Sequence, residues 1–284
     1  MAGFVYPVTT IPSLHSGWTK LNPLPGIFNA EASLASITVP LAFEPGTSRA
    51  YGVGITWAGK LVERVSSLRL DEYFRQHIFD HVEGGMPDVS FFPTPEIKKR
   101  KMWMCSRDGE GKIKATGRFG LGRAEEAEKI STELLLGGEG LFGTLKDYLA
   151  FLRAVLQCDP RYRSNIPHPL LSAGSYAELF RGSIPPLSAK HDGRSNLVQQ
   201  VGAAGYLDPP PTPETLDHSV GFCLTLVDCV EGRKKGSGFW SGVAKTQYWI
   251  DPTTGIAVSP NCFLKRGGGG IDCFVVTRRS AGLN

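Results

Sequence analysis

A serine becomes a nucleophile at neutral pH when a lysine one helical turn later, on the same face, holds its proton; the sequence signature is Ser-x-x-Lys. This chain of 284 residues does not contain it. Gly17 stands three residues before Lys20, Trp57 before Lys60, Gly143 before Lys146, Leu187 before Lys190 and Gly242 before Lys245, and the remaining lysines fail in the same way. Ser241 is a replacement candidate, but the sequence places no base for it. Metal chemistry is equally unsupported. His77 and His81 have helical spacing without a carboxylate or third ligand nearby, which reads as a helix-surface pair, and the six cysteines include no Cys-x-x-Cys. Free thiols and no metal are expected.

The composition is that of a folded protein, with 41% apolar and 20% charged residues, and the length allows one large or two modest domains. A net charge of +4, with basic runs only at 98–101 and 233–235, is too weak and scattered for a nucleic-acid surface. No stretch approaches the roughly 18 apolar residues of a membrane span, and the first residues lack the charged start and apolar core of a signal peptide, so the expected location is the cytoplasm.

Residues 1–40, rich in Pro, Ser, Thr and Gly, predict loop with one short helix. From Trp57, the apolar residues Ala58, Leu61, Val62 and Val65 recur at helical spacing; Leu70, Tyr73, Phe74 and Phe79 predict a second helix entered through Asp71, packed on the first. Residues 85–130 read as a surface excursion. Thr144 is placed to cap a helix over 145–157, with Asp147 as its reciprocal partner and Leu145, Tyr148, Leu149, Leu152 and Leu156 as its apolar face. The proline-rich 158–218 predicts loop with short helices around 172–180. From Ser219 three strands are expected as an antiparallel meander: SVGFCLTLVDCV, then GFWSGVAKTQYWI, then GIAVSPNCF after a turn at Asp251–Gly255. Gly267–Gly270 is a flexible break, since no Gly-Lys-Ser/Thr follows it.

Two runs carry a family resemblance. PLAFEPGTSRAYGVGITWAGKLVERVSSLRL at 40–70 and GSGFWSGVAKTQYWIDPTTGIA at 236–257, supported by GGEGLFGTLKDYLAFLRAVL, resemble class C β-lactamase-like serine hydrolases and acyltransferases, most of all lovastatin-type transesterases and related fungal esterases. The resemblance covers residues 40–258. It implies an α/β (α+β), β-lactamase/transpeptidase-like fold, an antiparallel sheet flanked by helices with a helical insertion domain. Tyr51 aligns with the family's catalytic tyrosine, whose phenol, ordinarily titrating near 10, relays a proton when a cation stabilises the phenolate. Val53 stands where the family often has Asn or Ser. Trp240, Ser241 and Gly242 match the strand that lines the site and offers a backbone N–H to the oxyanion hole.

The same resemblance implies an acyl-serine route to transfer or hydrolysis of a small-molecule ester or thioester in secondary metabolism, without metal or organic cofactor. The partners would be a small-molecule acyl donor and acceptor, with an acyl-carrier domain as a further donor, and neither nucleic acid nor membrane. Since the family's nucleophile helix should precede residue 40, the chain is expected to be N-terminally incomplete; Thr10-Ile11 and His15-Ser16-Gly17 weakly match the segment that follows that helix. The expected organisation is a poorly structured 1–40, a partial domain over 41–264 with its helical part at 57–218 and strands at 219–264, and a divergent tail at 265–284. The alternative is a catalytically inactive relative that binds a small acyl ligand or a partner protein.

Overall fold

The computed structural model describes residues 2–6, 14–23, 26–27, 30–102, 104–107, 109–110, 112–116, 133–161, 168–186, 188–202, 207, 210–230, 232–242, 246–259 and 276–278. The elements in chain order are α1 (Leu14–Leu21), a 3-10 turn (Leu34–Ile37), α2 (Gly54–Ser66), α3 (Leu70–His77), a second 3-10 turn (Phe79–His81), α4 (Pro95–Lys99), β1 (Met104–Arg107) and β2 (Ile113–Thr116). These are followed by α5 (Leu145–Gln157), α6 (Ala173–Leu179), α7 (Gly193–Gly202), β3 (Leu216–His218), β4 (Cys223–Thr225), β5 (Gly238–Ser241), β6 (Gln247–Asp251), β7 (Ile256–Val258) and β8 (Val276–Arg278). Strands β1 and β2 form a hairpin, and β3 to β8 form one six-stranded sheet in sequence order. Successive pairs from β4 to β8 are antiparallel.

The chain divides into two compact units. The first comprises Met1–Tyr73, Lys129–Leu141 and Gly182–Asp217; the second comprises Phe74–Glu128, Phe142–Arg181 and His218–Asn284.

In the first unit the core is Ile27, Ala32, Ile37, Val53, Leu134 and Leu136, with Phe4, Tyr6 and Trp57 against it. The stretch expected to be a poorly structured remnant therefore supplies core side chains, and Val5 is also fully buried. Irregular backbone can pack in this way when its polar groups find partners: Ala42 N–H donates to the Gly3 carbonyl, and the Trp57 indole to that of Ile37 at 3.1 Å. Helices α2 and α3 do meet, but not through the predicted stripe. Leu61 and Val65 are 64% and 77% exposed, and the face turned inward is Thr56 and Gly59. Gly59 lets the Leu70 side chain approach, and the Glu63 carboxylate accepts the Leu70 N–H at 3.0 Å. Periodicity located the helix; the small residues chose its buried side. A partly buried ion pair, Arg194 with Asp217 at 2.7 Å, ties α7 to β3, and the second Asp217 oxygen accepts the Ile184 N–H.

In the second unit Leu149, Leu152, Val155 and Leu156 of α5 pack with Phe222, Leu224, Ile250 and Ala257 of the sheet region. Thr144 caps α5 by accepting the Asp147 N–H at 3.1 Å. Asp147 does not reciprocate; its buried carboxylate accepts the Asp88 N–H instead, anchoring the preceding loop. The run GFWSGVAKTQYWI, expected as one strand, is two: β5 and β6 fold into a hairpin closed where Gly242 N–H donates to Thr246 O at 2.8 Å. At the next turn Asp251 accepts the Thr253 and Thr254 N–H groups, and Gly255 takes a positive φ of 68°. His77 ends α3 while His81 lies in the separate 3-10 turn, so the two do not share a helix face.

Leu156 is completely buried in this second core. Leu156→Ala is expected to cost about 3 kcal/mol, the usual range for a large-to-small core change, read as a lower urea midpoint at constant m-value.

Candidate active site

Tyr51 sits in the first unit, in the irregular stretch between the Pro45-Gly46 turn and α2. The turn forms because Gly46 takes φ 89° and Thr47 closes back on the Glu44 carbonyl through both its amide and its hydroxyl. Beyond it α7 grips the chain: Asn196 donates to the Ser48 hydroxyl at 2.9 Å and the buried Arg49 donates to the Gln200 side chain. The His191 ring nitrogen lies 3.2 Å from the Gly46 carbonyl.

On the far side, the backbone of Phe4 and Val5 crosses Gly52. A β-carbon at residue 52 would fall 2.0 Å from the Phe4 carbonyl oxygen and 2.5 Å from Val5 Cα, so only glycine fits after the tyrosine. Val53 is buried in the first core, where no hydrogen-bonding side chain could replace it without loss. The polar function often supplied at that position is therefore absent from it.

Tyr51 is left 48% exposed. Its ring packs on Tyr6, with centroids 5.5 Å apart and planes at 54°. The Tyr6 hydroxyl donates to Glu139 Oε2 at 2.6 Å, a charge-assisted bond. Burial first, then the charge and hydrogen bond of Glu139, and finally the neighbouring Tyr51, push the Tyr6 phenol far above its usual range. Neither Tyr6 nor Glu139 was singled out from the sequence. Glu139 had a signal, a lone carboxylate in the GGEG run ahead of α5; Tyr6 lies in a segment without periodicity.

The second group of candidates lies in the other unit. Trp240 and Ser241 pair with Tyr248 and Gln247 of β6, whereas the β4 ladder covers Phe239 and Gly238. In an antiparallel strand alternate residues turn their N–H and C=O to opposite neighbours. Gly242 N–H donates to Thr246 O on the β6 side, and Ser237 C=O accepts Thr225 N–H on the β4 side. Ser241 therefore directs its N–H to the β4 side, past the last residue of that ladder. Ser241 and Gly242 thus turn their amides to opposite sides of β5. Trp240 meets His218 edge-on at 5.5 Å between ring centroids, which adds a histidine that sequence reading missed.

Among the described residues, no group of three or more His, Cys, Asp or Glu side chains could hold a metal ion. Likewise among the described residues, no helix is long and apolar enough to cross a membrane. Cys158 and Cys223 are buried, and Cys105 and Cys229 are partly buried. The glycine run at 267–270 and most of the 265–284 tail lie outside the described residues.

Residues 16–259 match the Beta-lactamase family, and the chain belongs to it. Relatives include acyltransferase calJ of Penicillium decumbens, 28% identical over 217 residues, covering 75% of this chain and 47% of that protein. A lovastatin esterase of Penicillium rubens is 30% identical over 217 residues, covering 75% of this chain and 50% of that protein. The chain thus spans about half the length of these relatives. The unliganded simvastatin synthase of Aspergillus terreus superposes with a TM-score of 0.71 at 22% identity, over 93% of this chain and 61% of that one. The fold is β-lactamase/transpeptidase-like, an antiparallel sheet with flanking helices.

Gly52→Ala is expected to lower stability by about 2–3 kcal/mol through overpacking, measured by urea denaturation. An unchanged midpoint would mean that residues 2–6 do not pack there. A second prediction concerns alkali. The phenol of Tyr6 ionises near 10 when unfolded but much higher when folded, so its contribution is complete below pH 10 and is lost as pH rises above it. Between pH 9 and 11 the native chain should lose stability more steeply than Tyr6→Phe.

Proposed function

We propose that this chain carries the tyrosine and oxyanion-strand portions of a serine acyltransferase or esterase acting on a small-molecule ester or thioester in secondary metabolism. The observation that supports it is the coincidence of two things: homology to fungal proteins named as acyltransferases and an esterase, and the tightly held loop that presents a half-exposed Tyr51. A named relative, monacolin J acid methylbutanoyltransferase of Aspergillus terreus, indicates the kind of acyl chemistry involved.

In this reading the serine hydroxyl gives its proton to Tyr51 as its oxygen attacks the acyl carbonyl to form a tetrahedral oxyanion. The bond to the leaving alcohol or thiol breaks to give an acyl-serine, and Tyr51 passes the proton to the leaving group. An acceptor alcohol, or water, then takes the acyl group by the reverse path. The reading requires a Ser-x-x-Lys supplied from outside these 284 residues. An acyl-carrier domain is a fitting donor for a thioester, and Trp240 with His218 would border the acyl or acceptor group.

The absence of Ser-x-x-Lys favours a second reading, a pocket that binds a small acyl ligand or a partner protein without turnover. Mapping the 5′ end of the native transcript separates the two: an in-frame upstream Ser-x-x-Lys supports the enzyme, and translation starting at Met1 supports the binding protein. In a native product that contains the serine, Tyr51→Phe is expected to reduce kcat about 10²–10⁴-fold with p-nitrophenyl esters. Undiminished kcat would remove Tyr51 from the mechanism.

A further inference from the structure

Two phenols lie in contact beside α2, and either could in principle carry the proton. Their surroundings differ. Tyr51 is half-exposed and its phenolate would be solvated, whereas Tyr6 is packed against the first core. The Tyr6 proton is held in a 2.6 Å bond to the Glu139 carboxylate, and among the described residues the titratable groups that act on Tyr6 are Glu139 and Tyr51. Removing the Tyr6 proton would break that bond and set two negative charges against each other in a partly desolvated place.

We propose that Glu139 is a positioning residue that acts through Tyr6: by accepting the Tyr6 hydroxyl it fixes that ring as a neutral platform and leaves proton exchange to Tyr51. The assignment rests on the reading of Tyr51 as the proton relay. Glu139 acts at one remove, since its carboxylate meets Tyr6 and Tyr6 meets Tyr51 through the ring contact of 5.5 Å. A neutral Tyr6 also spares Tyr51 a second anion beside its own.

The test is a titration of the whole chain with tyrosine labelled by 13C at the ring carbon bearing oxygen, the two signals assigned with Tyr6→Phe and Tyr51→Phe. From pH 7 to 11 the Tyr51 signal is expected to move toward the phenolate position while that of Tyr6 stays at the phenol position. In Glu139→Gln, which keeps the side-chain shape, the Tyr6 signal should begin to move about one pH unit or more earlier. A merely structural Glu139 would lower the melting temperature without moving the Tyr6 curve. Ionisation of Tyr6 before or together with Tyr51 in the native chain overturns the proposal, as does a Tyr6 curve unaltered by Glu139→Gln. The native chain alone decides the order if that variant fails to fold. Turnover plays no part in the readout: a protein without acyl transfer could show the predicted order, and an active one could violate it.

Discussion

The backbone of Phe4 and Val5 lies so close to Gly52 that it admits hydrogen and nothing larger, and the position of Tyr51 follows from that contact. With Gly52 pinned, Val53 enters the core beside Ile37 and Leu136, and α2 begins one residue later. Tyr51, one residue before Gly52, is left outside that core and 48% exposed. The opposite flank is held by polar contacts from α7 to Ser48 and Arg49. Those are individually weak, each worth about 1 kcal/mol, so steric closeness fixes the loop and hydrogen bonds refine it.

The strand candidates depend on a different constraint. The direction of the Ser241 amide follows from the hairpin closure between Gly242 and Thr246, which sets the alternation of every N–H back to Ser237. A slip of one residue would exchange Ser241 with Gly242 and reverse which side chains enter the core. That register is stabilised by the burial of Phe239 and Ile250 and by Arg233, whose guanidinium lies over the rings of Phe239 and Trp249 at 5.4 and 5.3 Å.

What the residues alone disclosed was chiefly local. The Thr144 cap, the α5 stripe and the Asp251–Gly255 turn follow from interactions within a few positions, and all are present in the structure. The resemblance around Tyr51 located the loop for the same reason, since Pro45-Gly46-Thr47 is its own turn signal. Long-range choices were not legible. Nothing in Leu61 and Val65 says that Gly59, by admitting Leu70, would turn them to solvent. Asp147 satisfies the sequence rule for a reciprocal cap, yet an amide from a loop 59 residues away competes successfully for it. The Tyr6–Glu139 bond spans 133 residues and joins two segments that neither periodicity nor a motif connects.

That long-range bond gives the departure at Val53 a physical meaning. Where relatives of the resembled family often carry Asn or Ser two residues after the tyrosine, this chain has an apolar side chain sealed in the core, so no polar group from α2's entry can orient the Tyr51 ring. Orientation comes instead from an aromatic neighbour, which supplies contact area and a preferred tilt but no directional bond to the hydroxyl. In the proposed relay such a neighbour is useful only if it stays neutral, because a phenolate stacked on Tyr51 would oppose a negative charge on Tyr51. A carboxylate held against the Tyr6 hydroxyl meets that condition directly, because it makes loss of the Tyr6 proton costly.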